Sequence, residues 1–412
     1  MKIKEIKALE ILDSRGKPTI KAYMKTQGHD TVYSASVPSG ASTGANEAIE
    51  LRDGDKKRYG GNGCLKAVQW INGELNQKIC GQEFETQKEF DELLCKMDGT
   101  KNKSKLGGNT ILALSVVFSK AFAGVKNIPL YSHFANIVGN KKPALPQLTI
   151  NLFSGGKHAG LQTPIQDILL VPKANTVQEA LAMTYNVYYK AADNLSRSKN
   201  MRLLRADEGG LSPECDTVEE LFDCAIQAIK DCGYVPGKDI ALAIDVASSH
   251  FYENGSYHFY HKKLSSLEMI EKLIQWQAKY PLVSIEDGLD ENDWEHWPVL
   301  VKKMNSRCDI MGDDLLCTNI HIIEKAQKAS AATALLLKMN QIGTVTEALN
   351  AFQLAKSKNW RVTASARSGE TEDNWLADLA YGISADYIKI GSITQSERLS
   401  KYNRLLEIAS GY

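Results

Sequence analysis

The chain has no stretch that approaches the roughly 18 consecutive apolar residues of a membrane span, and its start, Met1-Lys-Ile-Lys-Glu5, carries no apolar core of signal-peptide length. These absences lead to the expectation of a cytoplasmic protein with no membrane span. Charge of one sign is also lacking: Lys plus Arg and Asp plus Glu each number 49. With no global field to draw in nucleic acid or an acidic membrane, no nucleic-acid partner is expected, and any anion site must be local. Cys-x-x-Cys pairs and His at zinc-finger spacing are missing too. The eight cysteines, at 64, 80, 95, 215, 224, 232, 308 and 317, are scattered and read as ordinary reduced thiols. Solenoid repeats and low-complexity segments are absent.

What is present is enough chain, 412 residues, for two domains, one of barrel size. Three β-type runs, Ile3 to Leu12, Thr19 to Thr26 and Thr31 to Val37, suggest a small antiparallel meander. Three helices are expected between Lys66 and Val125, marked by Leu65, Val68 and Ile71, then Phe90, Leu93 and Leu94, then Ile111, Leu112, Leu114, Val117 and Phe118. The charged, proline-bearing stretch Gly139 to Pro146 places a domain boundary, giving an α+β domain over 1–138 and a barrel over 139–412. Between meander and helices lies Val37-Pro-Ser-Gly-Ala-Ser-Thr-Gly44. It reads either as a surface linker or as a mobile lid that brings Ser42 to a metal or phosphate.

The second part is organised by apolar runs that stop on charges. Ala241-Leu-Ala-Ile precedes Asp245, Leu282-Val-Ser-Ile precedes Glu286, Cys308-Asp-Ile-Met-Gly precedes Asp313, and Ala334-Leu-Leu-Leu precedes Lys338. Buried strands ending in charge, with helical sequence between them, are the pattern of a parallel α/β barrel whose site sits at the carboxyl ends of its strands. Three carboxylates meeting there would repel unless a hard divalent cation joined them. Taken singly, each is as readily a helix cap. Eight strand candidates follow the boundary: 147–153, 165–171, 241–246, 282–286, 309–313, 334–338, 361–365 and 386–390. The first two are joined by roughly a dozen residues, too few for a crossover helix, so they form an antiparallel hairpin. Two helices in a row come next, the second with a capping box at Asp216 and Glu219, and later helices repeat the signal, as in Ser265 with Glu268 and Thr344 with Glu347. The fold class is therefore α/β, an irregular ββαα(βα)6 barrel preceded by a smaller α+β domain.

Several motifs then carry a resemblance. Leu12-Asp-Ser-Arg-Gly16, the Val37–Gly44 stretch with Glu50-Leu-Arg-Asp-Gly-Asp55, Asp98-Gly-Thr, Asp207-Glu-Gly-Gly210, Ser284-Ile-Glu-Asp287, Asp313-Asp-Leu, Leu335 to Gly343 and Arg367-Ser-Gly-Glu-Thr-Glu-Asp373 occur in order over nearly the whole length. In these the chain resembles the enolase family, which implies a cytoplasmic, glycolytic hydro-lyase turning 2-phosphoglycerate into phosphoenolpyruvate, assembled as a homodimer or octamer. A lysine base with one or two Mg²⁺ ions is an established pattern of that superfamily, not a deduction from these residues. The resemblance implies that Asp245, Glu286 and Asp313 hold a first Mg²⁺ and that Ser42 helps order a second, which arrives with substrate. It makes Lys338 the base and Glu208 the acid for the leaving hydroxyl. His158, Asp167 and Lys389 become substrate contacts, and Arg367 with Ser368 the clamp for the phosphate of a small phosphorylated acid. Without it, Glu208 reads as a turn residue and Lys389 as a strand-end charge. A neutral Lys338 and a protonated Glu208 would bring the site near zero charge, and cations near Lys338 are expected to push its pKa down.

Three positions depart from the family pattern. Ala366 stands where the family keeps a histidine before Arg367-Ser368, Asp167 where it keeps a glutamate after Gln166, and Gln395 where a basic residue is typical. The first two lie on the leaving-group side, so proton abstraction is expected to persist while hydroxide expulsion slows. Two further readings stay open: an enolase-like enzyme acting on another phosphorylated or phosphonate acid, and a non-catalytic binding protein.

Overall fold

The computed structural model describes residues 1–41, 44–200 and 204–412. Its N-terminal strands β1 (Ile3–Leu12), β2 (Pro18–Thr26) and β3 (Val32–Ser36) form the antiparallel meander in the order β1-β2-β3. The β1–β2 turn is set by Asp13, whose Oδ1 accepts from the backbone N–H groups of Arg15 (2.8 Å) and Lys17 (2.9 Å), and by Gly16 at φ 71°. Alternation along β2 buries Ile20, Ala22 and Met24 on one face. That face meets the apolar helix Gly108–Val125. This helix is long and apolar enough to cross a membrane by length and composition, but 78% of it is buried within the protein, where it forms the domain's core. The expected three helices are present, as a run from Leu65–Trp70 through Ile71–Leu75 to Asn76–Ile79, then Gln87–Asp98 and Gly108–Val125. A further helix, Leu130–Val138, was not expected. Nine residues hold too few turns to show a period, and it is fixed instead by Pro129 before it and Gly139, at φ 71°, after it.

The barrel closes through eight strands: β4 (Gln147–Ser154), β5 (Asp167–Pro172), β6 (Ile240–Asp245), then, beyond a small sheet, β10 (Leu282–Glu286), β11 (Asp309–Gly312), β12 (Ala334–Leu337), β13 (Arg361–Ser365) and β14 (Tyr387–Gly391), which returns to β4. β5 runs antiparallel to both neighbours and every other pairing is parallel. The helices Val177–Lys199 and Val218–Asp231 follow β5, which completes the ββαα start. The second begins one residue later than the sequence suggested: Thr217, not Asp216, accepts from the N–H of Glu220. The capping box at Ser265 and Glu268 is present. The small sheet, β7 (Tyr252–Glu253), β8 (Ser256–Phe259) and β9 (Lys262–Leu264), is an insertion that the strand count overlooked. Its signal was available in Asn254-Gly255, both at positive φ (50° and 80°), a hairpin dipeptide.

Register decides what meets at the mouth. Asp245 of β6 pairs with Glu286 of β10 on one side and with Asp167 of β5 on the other. Because β5 is antiparallel, its first residue rather than its last arrives at the carboxyl ends of the other strands.

Candidate active site

Asp245, Glu286, Asp313, Lys338 and Lys389 are all buried at that mouth. The Lys389 Nζ donates to Asp245 Oδ2 (2.9 Å) and Glu286 Oε2 (2.7 Å), while Lys338 pairs with Asp313. Gln341 Nε2 holds the other Asp313 oxygen at 2.7 Å, and Gln166 Nε2 donates to Asp245 Oδ2 at 2.9 Å. In the protein alone, two ammonium groups thus answer three carboxylates. Burial works against the Asp245 charge, yet Lys389 beside it holds that carboxyl below the usual range. Burial and the Asp245 charge together push Glu286 well above it. For Lys338, burial opposes the charged form, as do Arg367 and Lys389, but Asp313 and Glu286 favour it and, in the protein alone, the pKa is raised.

Of Asp287 and Asp314, next to the two metal-type acids, the first orients the loop after β11. Asp287 accepts from the N–H groups of Asp313 (2.9 Å) and Asp314 (2.8 Å), and burial pushes Asp314 up to about 8, aided by the Asp313 charge. Asp287, Asp313 and Asp314 each offer an oxygen within 4.8 Å of the others, as do His158, Asp167 and Glu208 with one atom apiece. Either group could hold a metal ion, and the buried Glu286 Oε1 has no hydrogen-bond partner. The buried carboxylates of Asp245, Glu286 and Asp313 offer only oxygen, a donor chemistry that suits a hard cation better than a soft one.

The second cluster lines the other side. Asn151 Nδ2 donates to Asp167 Oδ1 (2.8 Å) and Glu208 Oε2 (3.1 Å), and Ser154 Oγ donates to the same Asp167 oxygen at 2.7 Å. His158 Nδ1 stands 3.6 Å from Asp167 Oδ2, and its Nε2 stands 3.9 Å from Glu208 Oε1, both too long for hydrogen bonds. The Asp167 carboxylate therefore stops short of hydrogen-bonding the imidazole. Burial disfavours imidazolium, but Glu208 and Asp167 overcome it and raise the His158 pKa. For Glu208 burial favours the acid form, yet His158, Arg398 and Lys389 outweigh it and, in the protein alone, the pKa is lowered.

Arg367 and Ser368 lie just past the end of β13, on the loop that also carries the buried Ala366. The Arg367 guanidinium donates from Nη1 to Glu47 Oε2 (3.1 Å) and Asn340 Oδ1 (2.9 Å), and from Nη2 to Glu47 Oε1 (3.2 Å). Arg15 Nη1 donates to Ser368 Oγ at 3.0 Å, and Arg398 Nη1 to the Arg367 carbonyl at 2.7 Å. Ser42, with the next residue of its stretch, lies outside the described residues; on either side, Ala41 N donates to Ser368 Oγ (2.8 Å) and Gly44 N to Glu47 Oε1 (3.1 Å). Gln395 reaches the Ala206 carbonyl at 3.4 Å, so it braces the Glu208 loop.

The model of the enolase N-terminal domain matches residues 3–134, and that of the enolase C-terminal TIM barrel domain matches residues 142–411. The chain belongs to the enolase family. Membership places it among the enolase-superfamily lyases, and the closed eight-stranded barrel behind an N-terminal β-rich domain agrees. Sequence reasoning passed over Asn151, Glu47 and Gln341, which hold this protein's charged groups in place. Gln341 stood inside a quoted motif and Glu47 between two of them, but amides and a lone glutamate carry no local signal of the groups they reach across the barrel.

Proposed function

We propose that this enolase-family protein catalyses the reversible, Mg²⁺-dependent dehydration of 2-phosphoglycerate to phosphoenolpyruvate in the cytoplasm. The observation that supports it most is the placing of Lys338 and Lys389 on the Asp245–Glu286–Asp313 set. On this reading Lys338 takes the proton from the carbon beside the substrate carboxylate, and Lys389 steadies that carboxylate. Glu208 gives a proton to the departing hydroxyl, which leaves as water. His158 and Asp167 border that side, and Arg367 with Ser368 grips the phosphate through charge-assisted hydrogen bonds. Asp245, Glu286 and Asp313 would hold one Mg²⁺, with Ser42 contributing to a second. Bound there, the ions supply positive charge against the negative charge building on the substrate carboxylate, and engage the Asp313 charge that otherwise holds the Lys338 proton.

The test is formation of the enol product, followed by ultraviolet absorbance, at high protein concentration with saturating Mg²⁺. No detectable product would sink the reading. Ala366 and the gap between His158 and Asp167 favour one alternative, action on another phosphorylated or phosphonate acid. Deuterium exchange of the α-proton without elimination of water would select it.

A further inference from the structure

Glu47 is buried, and no step of the proposed reaction uses it. Its carboxylate forms a fork-to-fork pair with Arg367 at 3.1 and 3.2 Å. The same Oε1 accepts from the Gly44 N–H at 3.1 Å and faces Gln341 Nε2 at 3.4 Å, while the Gln341 carbonyl accepts from the Ala48 N–H at 2.7 Å. Gln341 in turn holds Asp313. The backbone at Gly44 presses on the loop after β11 so closely that a Cβ there would meet Cys317 Sγ at 2.6 Å. Residues 44–48 are thus fastened to the loops after β11 and β12, and through Glu47 to the loop after β13.

The other side of the stretch is fastened to that last loop as well. Ser39 and Gly369 exchange backbone hydrogen bonds of 2.8 and 3.0 Å, and Ala41 N donates to Ser368 Oγ. Glu47 therefore belongs to the same bonded network as residues 39–41 and 44–48, the Arg367–Ser368 pair and Asp313. A guanidinium with a long flexible stem binds a phosphate well only if its fork is held in advance, and a bidentate carboxylate on one edge leaves the guanidinium plane fixed.

We propose that Glu47 is a positioning residue, a latch that holds the Arg367 fork and the 44–48 segment in place together. The proposal rests on Arg367 serving as the phosphate clamp. Titration calorimetry of the full chain with inorganic phosphate, before and after Glu47→Gln and Glu47→Ala, tests it. The glutamine keeps shape and loses charge, and phosphate affinity is expected to fall about tenfold, and by up to about 100-fold in the alanine variant. For 2-phosphoglycerate the loss is expected mainly in KM, with kcat changed less, a split that general loss of folding would not produce. Phosphate affinity in Glu47→Gln equal to or above that of the unaltered chain overturns the proposal, since the carboxylate is then a bystander or a competitor.

Amide hydrogen exchange decides the latch independently. If the unaltered chain binds neither phosphate nor substrate, the reading of Arg367 fails, but the latch still predicts that Ala41 and Ala48 amides exchange about tenfold faster in Glu47→Ala. Neither amide is bonded to Glu47 itself, so unchanged rates at both overturn it.

Discussion

Phe118 and Lys338 are both buried, but in opposite kinds of interior. Around Phe118, in the N-terminal domain, Phe90 stacks at 4.2 Å between ring centroids, and Phe84 meets it edge-on at 5.9 Å. The charged group nearby, Asp91, accepts from Gln87, Ser115 and Thr346. Around Lys338, at the barrel mouth, carboxylates outnumber the lysines, and Asn151 Oδ1, His158 Nδ1, Gln166 Oε1, Asp167 Oδ2 and Glu286 Oε1 have no hydrogen-bond partner. An unsatisfied buried polar atom costs stability, and in the N-terminal domain such atoms are confined to the hydroxyls of Thr26 and Thr110 among the described residues. The first interior is built to be stable. The second tolerates unmet donors and acceptors where a ligand would meet them.

Breaking each interior at its centre should give opposite signatures. Lys338→Ala is expected to lower turnover of 2-phosphoglycerate by about 10⁴-fold or more while thermal unfolding shifts little, checked by steady-state kinetics beside calorimetry. Phe118→Ala should do the reverse, costing about 3–5 kcal/mol in denaturant unfolding and leaving kcat of the folded fraction nearly intact.

The pH response separates the two interiors further. Burial pushes His133, in the N-terminal domain, down to about 4, so the folded state holds it neutral while the unfolded chain takes up a proton below its ordinary pKa. Stability should therefore fall as pH drops from about 6.5 to 4, by on the order of 3 kcal/mol from this group. In His133→Gln the unfolding free energy should lose that part of its slope. The smallest effect expected is a gain: Ala366→His should raise turnover by about 10- to 100-fold if the imidazole site stands ready beside Glu208. No gain would move the mouth towards the alternative substrate.

The strands and most helices were legible because their signals are local. Short apolar runs marked all eight barrel strands, four of them by stopping on a charge, and the Ser265–Glu268 box marked a helix start within one residue. Where signals were weak or competing, the reading slipped, as at Leu130–Val138 and at Thr217. The candidate site was legible as a set of residues through motifs, but not as a set of partnerships. Lys389 joining Asp245 to Glu286 spans 144 and 103 positions of sequence, and Glu47 reaches Arg367 across 320.

By itself, then, the sequence determined the alternation of strands and helices, the family, and which charged residues end the strands. Only the tertiary structure decided which carboxylate each lysine answers, and that Lys338 and Glu208 lean, in the protein alone, towards their charged forms. Helix caps and apolar periods act over a few neighbouring residues. The pairing and protonation of buried charges depend on distances of a few ångströms between segments that only barrel closure brings together.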